Sequence, residues 1–188
     1  MDEGGGIETG SDAAMVARIR ARDRQAFEAF YRSYHPRLWR FLANLLRRPP
    51  LIEEVINDTM MVVWEKIDGF AGRSTLATWV FGIAYRQALG ALRRHDEPVE
   101  QEEQVTDVAD HGPEQVAGRE RVRLALAAAV DRLSPAHRAV VTLTYQQEFG
   151  YREIADILEC PVDTVKTRMF HARRQLRHAL PGDLADWL

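Results

Sequence analysis

The chain has 188 residues, enough for one ordinary domain or two small ones, and its hydrophobic share of 46% is that of a packed protein rather than a disordered one. No apolar run reaches the roughly 20 residues of a membrane-spanning helix, and the start is acidic and glycine-rich where a secretory signal is basic and then apolar, so a cytoplasmic protein is expected. A single cysteine, Cys160, excludes an internal disulfide and any thiolate cluster for zinc.

The net charge of −3 conceals a segregated pattern. Residues 12–95 hold 14 Lys/Arg against 8 Asp/Glu, residues 96–118 hold 8 acids and no Lys or Arg, and residues 119–180 hold 11 basic against 7 acidic side chains. A merely solvated surface mixes its signs; two basic blocks joined by an acidic stretch suggest modules that meet a polyanion and a tether that does not. Residues 96–118 also carry two prolines and few large apolar side chains, too little to offset ordering entropy, and read as a flexible linker longer than usual intradomain connections.

The expected fold class is all-α, with two small helical domains, 12–95 and 119–180, joined by that linker and flanked by a disordered tail over 1–11 and a C-terminal tail over 181–188. In the first block Asp23 can cap a helix carrying Phe27, Phe30, Tyr31 and Tyr34 on one face. Pro36 suits the first turn of a new helix with Leu38, Trp39, Leu42, Leu45 and Leu46, which Pro49 and Pro50 end. A third helix runs from about Leu51 to Ile67, and two glycines break it in the loop Asp68–Arg73. Ser74 or Thr75 can cap a fourth helix through Arg94.

The second block starts near Glu114 and holds an alanine-rich helix over Val122–Val130. Ser134 and Pro135 then form a cap and first turn for a helix through Gln146. Next comes the most specific pattern in the chain: a short helix Tyr151–Leu158, a turn Glu159–Val162, and a second helix capped by Asp163. Ala155 is the small residue at which two helices can cross closely. Ile154, Leu158, Val165, Met169, Ala172 and Leu176 supply a shared core, and Thr164, Lys166, Thr167, Arg168, His171 and Arg174 make up the opposite face of the second helix. Hydroxyls and cations so arranged are what a DNA recognition helix needs for base edges and phosphates; a plain helical hairpin with a solvated basic face is the alternative.

With these motifs in order, the chain resembles the extracytoplasmic-function (ECF, group 4) class of bacterial RNA polymerase sigma factors over nearly all of residues 12–180. Glu53 through Phe70 is similar to that family's region 2 core helix and following loop, Thr78 through Ala84 to the start of its next helix, and Tyr151 through Arg173 to its region 4 helix-turn-helix. The resemblance implies a factor that binds core RNA polymerase and directs promoter recognition and transcription initiation. Its partners would be the polymerase β′ coiled coil, through Glu54, Asn57 and Asp58, promoter DNA, and an anti-sigma factor, with no membrane contact except through the latter. A solvated helix face is the other reading of Glu54, Asn57 and Asp58.

By the same resemblance Asp68–Arg73 is the loop that captures a base of the −10 element. Gly69, Phe70 and Gly72 would give close backbone approach and an aromatic wall, Arg73 a phosphate contact, and Arg86, Arg93 and Arg94 would continue along the DNA. An ordinary helix connection with Phe70 plugged into the core is the alternative. The −35 element falls to Thr164, Lys166, Thr167, Arg168, His171 and Arg174. The chain departs from the family's pattern at Ala77 and Gly82, where polar or charged residues are common, and at Glu159, where glycine is frequent.

No catalytic residues, cofactor or metal are expected. The six histidines (His35, His95, His111, His137, His171, His178) form no close i, i+4 pair and lie at no metal-motif spacing from a cysteine or carboxylate. No phosphate loop or nucleophile motif occurs, Cys160 reads as a small buried turn residue rather than a redox sensor, and Trp64 and Trp79 read as core. Two other classes would share much of this pattern: a stand-alone helix-turn-helix regulator that binds duplex operator without polymerase, and a helical adaptor without salt-dependent DNA affinity.

Overall fold

The computed structural model describes the backbone of residues 6–94 and 125–179, with side chains from residue 12. The linker 96–118, the start of the alanine-rich helix and the C-terminal tail lie outside the described residues. Those described form helices and no strand.

Helix α1 (Gly6–Arg20) has no counterpart among the elements the sequence predicts, and it begins within residues 1–11, the expected disordered tail. Val16 and Ile19 are buried and anchor it; once such a turn is nucleated, each further residue adds a hydrogen bond at little cost. Asp23 caps α2 (Arg24–Leu46) as expected, its Oδ1 accepting from the Gln25 and Ala26 amides at 2.9 and 3.1 Å. Those amide bonds, led by Ala26, and the Arg18 side chain hold its carboxyl below the ordinary 3.8.

Pro36 does not start a new helix: α2 runs through it unbroken. An interior proline costs a helix about 3 kcal/mol, but Phe30, Tyr34, Leu38, Phe41, Leu42 and Leu45 form one buried stripe across it, and a break would forfeit that packing. Pro49 and Pro50 open α3 (Pro49–Lys66), which passes through a single 3-10 turn (Ile67–Gly69) into the loop. Gly72 adopts φ +67, which glycine accepts without strain. Of the two cap candidates for α4 (Leu76–Arg94), Thr75 serves, its Oγ1 accepting from the Thr78 amide at 3.1 Å.

In the second half, α5 covers residues 125–131 and Ser134 caps α6 (Pro135–Tyr145) through the His137 amide. Helix α7 (Tyr151–Leu158) and α8 (Val162–Ala179) have nearly the expected bounds. The cap of α8 is a correction. The helix begins before Asp163, with the Pro161 carbonyl accepting from Thr164 and Val165, so Asp163 sits in the first turn, where a carboxylate suits the helix dipole. It holds Lys166 Nζ at 2.9 Å.

Helices α2, α3 and α4 pack on one another, α8 lies across α6 and α7, and the two sets meet along α4–α7 and α2–α6. Phe81 is the joint: fully buried, it lies 5.4 Å from Phe41 and 5.1 Å from Phe149, with the Arg37 guanidinium 5.5 Å from its ring. A buried aromatic of this kind contributes on the order of 2–3 kcal/mol, which makes the junction part of the core rather than an incidental contact.

Candidate nucleic-acid interface

The helix-turn-helix is built as its sequence dictates. Ile154, Ala155 and Leu158 of α7 and Val165, Met169, Ala172 and Leu176 of α8 are all buried, with α8 packed on both α6 and α7. That leaves α8 with one solvent-facing side, carrying Lys166, Thr167, His171 and Arg174 exposed and Thr164 and Arg168 half-buried. The Thr167 hydroxyl donates to the Asp163 carbonyl at 2.9 Å, which uses its hydrogen and leaves its oxygen able to accept. Arg168 leans back over the turn, Nη1 3.8 Å from Cys160 Sγ, toward Tyr85 of α4. Burial pushes the Tyr85 hydroxyl above its ordinary value, with the positive Arg168 partly opposing the shift. Arg173 is committed internally, donating to the Tyr145 hydroxyl at 2.9 and 2.7 Å, whereas its neighbour Arg174 is exposed.

Phe170 was missed by sequence reasoning. It is 64% exposed in the middle of the α8 face, touching only the edge of His171 among the ring contacts, at 5.5 Å. Its position one turn beyond Thr167 and one before Arg174 was readable, but a phenylalanine passes for core until burial is known. The His137 and His171 rings lie 6.3 Å apart. Burial, then the like charges of His171 and Arg168, hold the His137 pKa below the ordinary 6.5. Among the described residues no three His, Cys, Asp or Glu side chains gather as metal ligands.

In the first half, Phe70 is half-buried rather than plugged into the core. Its ring packs on Trp79 at 5.2 Å, and with Gly72 it lines an open cavity of about 430 Å³ to which Val16 and Arg20 of α1 also contribute. The loop and the end of α3 are tied to α1 and the turn after it: Arg20 Nη2 donates to the Phe70 carbonyl at 2.5 Å, Arg22 Nη1 to the Trp64 carbonyl, and Arg22 Nη2 to Asp68 at 3.3 Å. Gly69 and Arg73 are exposed on the loop. Arg86, Arg93 and Arg94 are exposed on α4, but two are paired, Arg86 Nη1 with Glu159 Oε1 at 2.5 Å and Arg94 Nη2 with Glu54 Oε1 at 3.5 Å.

Glu54 and Asn57 face solvent and Asp58 is half-buried. Asn57 Oδ1 accepts from the Tyr31 hydroxyl at 3.2 Å. The residues missed here are apolar. Phe27, Tyr31, Met61 and Trp64 line an open groove of about 680 Å³ between α2 and α3, with Met61 56% exposed. The Phe27–Trp64 and Tyr31–Asn57 contacts join residues more than twenty positions apart, which no local pattern announces. His35 likewise meets Glu53 at 3.1 Å across the same two helices.

Comparison with known proteins agrees with this layout. Residues 30–97 match the family description "Sigma-70 region 2" and residues 123–176 match "Sigma-70, region 4". The chain is 30% identical over 169 residues to the ECF RNA polymerase sigma factor RpoE of Cereibacter sphaeroides, covering 86% of this chain and 92% of that one. It is 27% identical over 173 residues to the ECF sigma factor SigK of Mycolicibacterium vanbaalenii, covering 89% and 88%. Among solved structures it resembles the sigma factor RpoE in complex with the anti-sigma factor NepR from Bartonella quintana, with a TM-score of 0.62, 27% identity, and 84% and 98% of the two chains covered.

Proposed function

The chain belongs to the ECF sigma factors of the sigma-70 family, which direct promoter recognition and transcription initiation, and from that premise we propose how its surfaces divide the work. Residues 119–180 act as the −35 reader. The observation that carries this reading is the open face of α8, where Thr164, Lys166, Thr167, Arg168, His171 and Arg174 surround an unburied Phe170. Hydroxyls and cations suit base edges and phosphates, and a phenyl ring suits a thymine methyl.

Residues 12–95 engage polymerase and the −10 element. Glu54, Asn57 and Asp58 would meet the β′ coiled coil, with the Phe27–Met61–Trp64 groove beside them supplying apolar area at the centre of the contact. A base flipped out of the −10 element fits the cavity behind Phe70 and Gly72, where an aromatic wall and a bare backbone allow stacking and close approach. Arg73, Arg86, Arg93 and Arg94 would follow the phosphates. The acidic linker 96–118 lets the two units reach both elements and suits a basic polymerase channel.

The chain works by binding rather than catalysis, in the cytoplasm, and an anti-sigma factor, such as the one bound in the related Bartonella structure, holds it inactive until a signal releases it. Run-off transcription with purified core polymerase tests the assignment: promoter-specific transcripts should depend on added chain. A chain that fails to bind core polymerase, or that binds duplex operator tightly by itself, would overturn it.

A further inference from the structure

Helix α7 and the turn after it lie along the side of α4 that carries Thr75, Thr78, Gly82 and Arg86, residues spaced by three and four and so aligned on one face. Each polar member of that row is met by an acid from the other half. Thr78 Oγ1 donates to Glu153 Oε1 at 3.0 Å, Thr75 Oγ1 lies 3.4 Å from the same oxygen, and Arg86 pairs with Glu159 at 2.5 Å. Between them Gly82 lets α7 come close: a Cβ there would lie 3.9 Å from the Ile157 Cα, so a longer side chain would run into the α7 backbone.

Glu159 is the odd residue in this set. It occupies φ 50, ψ 48, the left-handed cap that glycine takes freely and a glutamate does not. The turn itself gives no reason for a glutamate, and the guanidinium opposite does. Glu159 and Gly82 meet at this one interface, both beside the Arg86 side chain.

Resting on the reading of α4 as a −10 DNA face, we infer that Glu159 is an internal substitute for a nucleic-acid phosphate: its carboxylate occupies Arg86 and makes the packed arrangement of the two halves self-inhibiting toward DNA. Glu153 plays the lesser part, covering the hydroxyls at the start of the same row. The side chains of Arg86 and Glu159 are 48% and 60% exposed, so the pair is weak, as a latch released by competing phosphates has to be.

The test is fluorescence anisotropy of the full chain with a labelled, mixed-sequence single-stranded DNA at low salt. Glu159→Gln should bind about two- to fivefold tighter than wild type, the range of an exposed ion pair, and Glu159→Gly, which suits the left-handed turn, should tighten binding to the same extent. Arg86→Ala should weaken binding, and in that background Glu159→Gln should add nothing. If Arg86→Ala leaves affinity unchanged in both the wild-type and the Glu159→Gln chains, α4 is not a DNA face and the premise fails along with the latch. The latch alone fails if Arg86→Ala weakens binding but neither Glu159 variant tightens it. It fails equally if the gain persists without Arg86, or if Asp156→Asn, removing a charge one turn earlier on α7, gives the same gain.

Discussion

Gly82 sits in the middle of α4 facing α7, and replacing it with alanine sets backbone preference against space. In a helix interior alanine is favoured over glycine by about 0.8–1 kcal/mol, because glycine loses more freedom on folding. The new methyl would lie 3.7 Å from Arg86 Nη1, 3.9 Å from the Ile157 Cα and 4.0 Å from the Ile157 carbonyl oxygen, all ordinary van der Waals separations. Space therefore exacts nothing, and the propensity gain should survive: Gly82→Ala should be about 1 kcal/mol more stable, raising Tm by about 2–4 °C for a chain of this length. Urea denaturation followed by far-ultraviolet circular dichroism should show a higher midpoint with an unchanged slope. Gly82→Leu, by contrast, should lose about 1–3 kcal/mol by overpacking. A harmless leucine would refute the close approach of α4 and α7, and a lower midpoint for alanine would refute the ordinary separations around Gly82.

Other outcomes follow from single contacts. Phe170→Ala should leave stability within about 0.5 kcal/mol, since the ring is exposed, while lowering transcription from −35-dependent promoters; a destabilised variant would mean the ring is core. Ser134→Ala should cost about 1 kcal/mol in urea melts through the lost cap on His137 N, and a silent change would show the cap idle. The folded pKa of His137 lies below 6.5, so as pH falls from above 6.5 the unfolded chain takes up the proton first. Its contribution to stability is full above 6.5 and is lost as pH falls through the folded value. Urea midpoints measured across that window should drop, and His137→Gln should flatten the drop; an equal drop in the variant would assign it to another group.

Where sequence patterns are local, they located the structure closely. The Asp23, Thr75 and Ser134 caps, the bounds of α7 and the buried stripe of α8 all depend on residues within a few positions of one another. Pro36 misled because its penalty is local while the packing that overrides it is spread over Phe30 to Leu45. Helix α1 went unread because its apolar content is slight and its anchoring is tertiary. In the candidate site, the polar face of α8 was legible from helical spacing, but the exposure of Phe170, the apolar groove beside Asn57 and the engagement of Arg86 by Glu159 were not. Each of those depends on which residues from distant parts of the chain come to lie together.

The grip of Arg20 and Arg22 on the carbonyls of Phe70 and Trp64 has a consequence at the other end of the chain's logic. A loop proposed to select one nucleotide takes its shape from a segment about fifty positions upstream. Clipping the protein ahead of Arg24, or fusing a bulky tag that unwinds the first helix, would strip those carbonyls of their donors and open one wall of the cavity. If that loop selects a nucleotide as proposed, promoter choice should respond to changes at the amino terminus, even though no amino-terminal residue need touch the template.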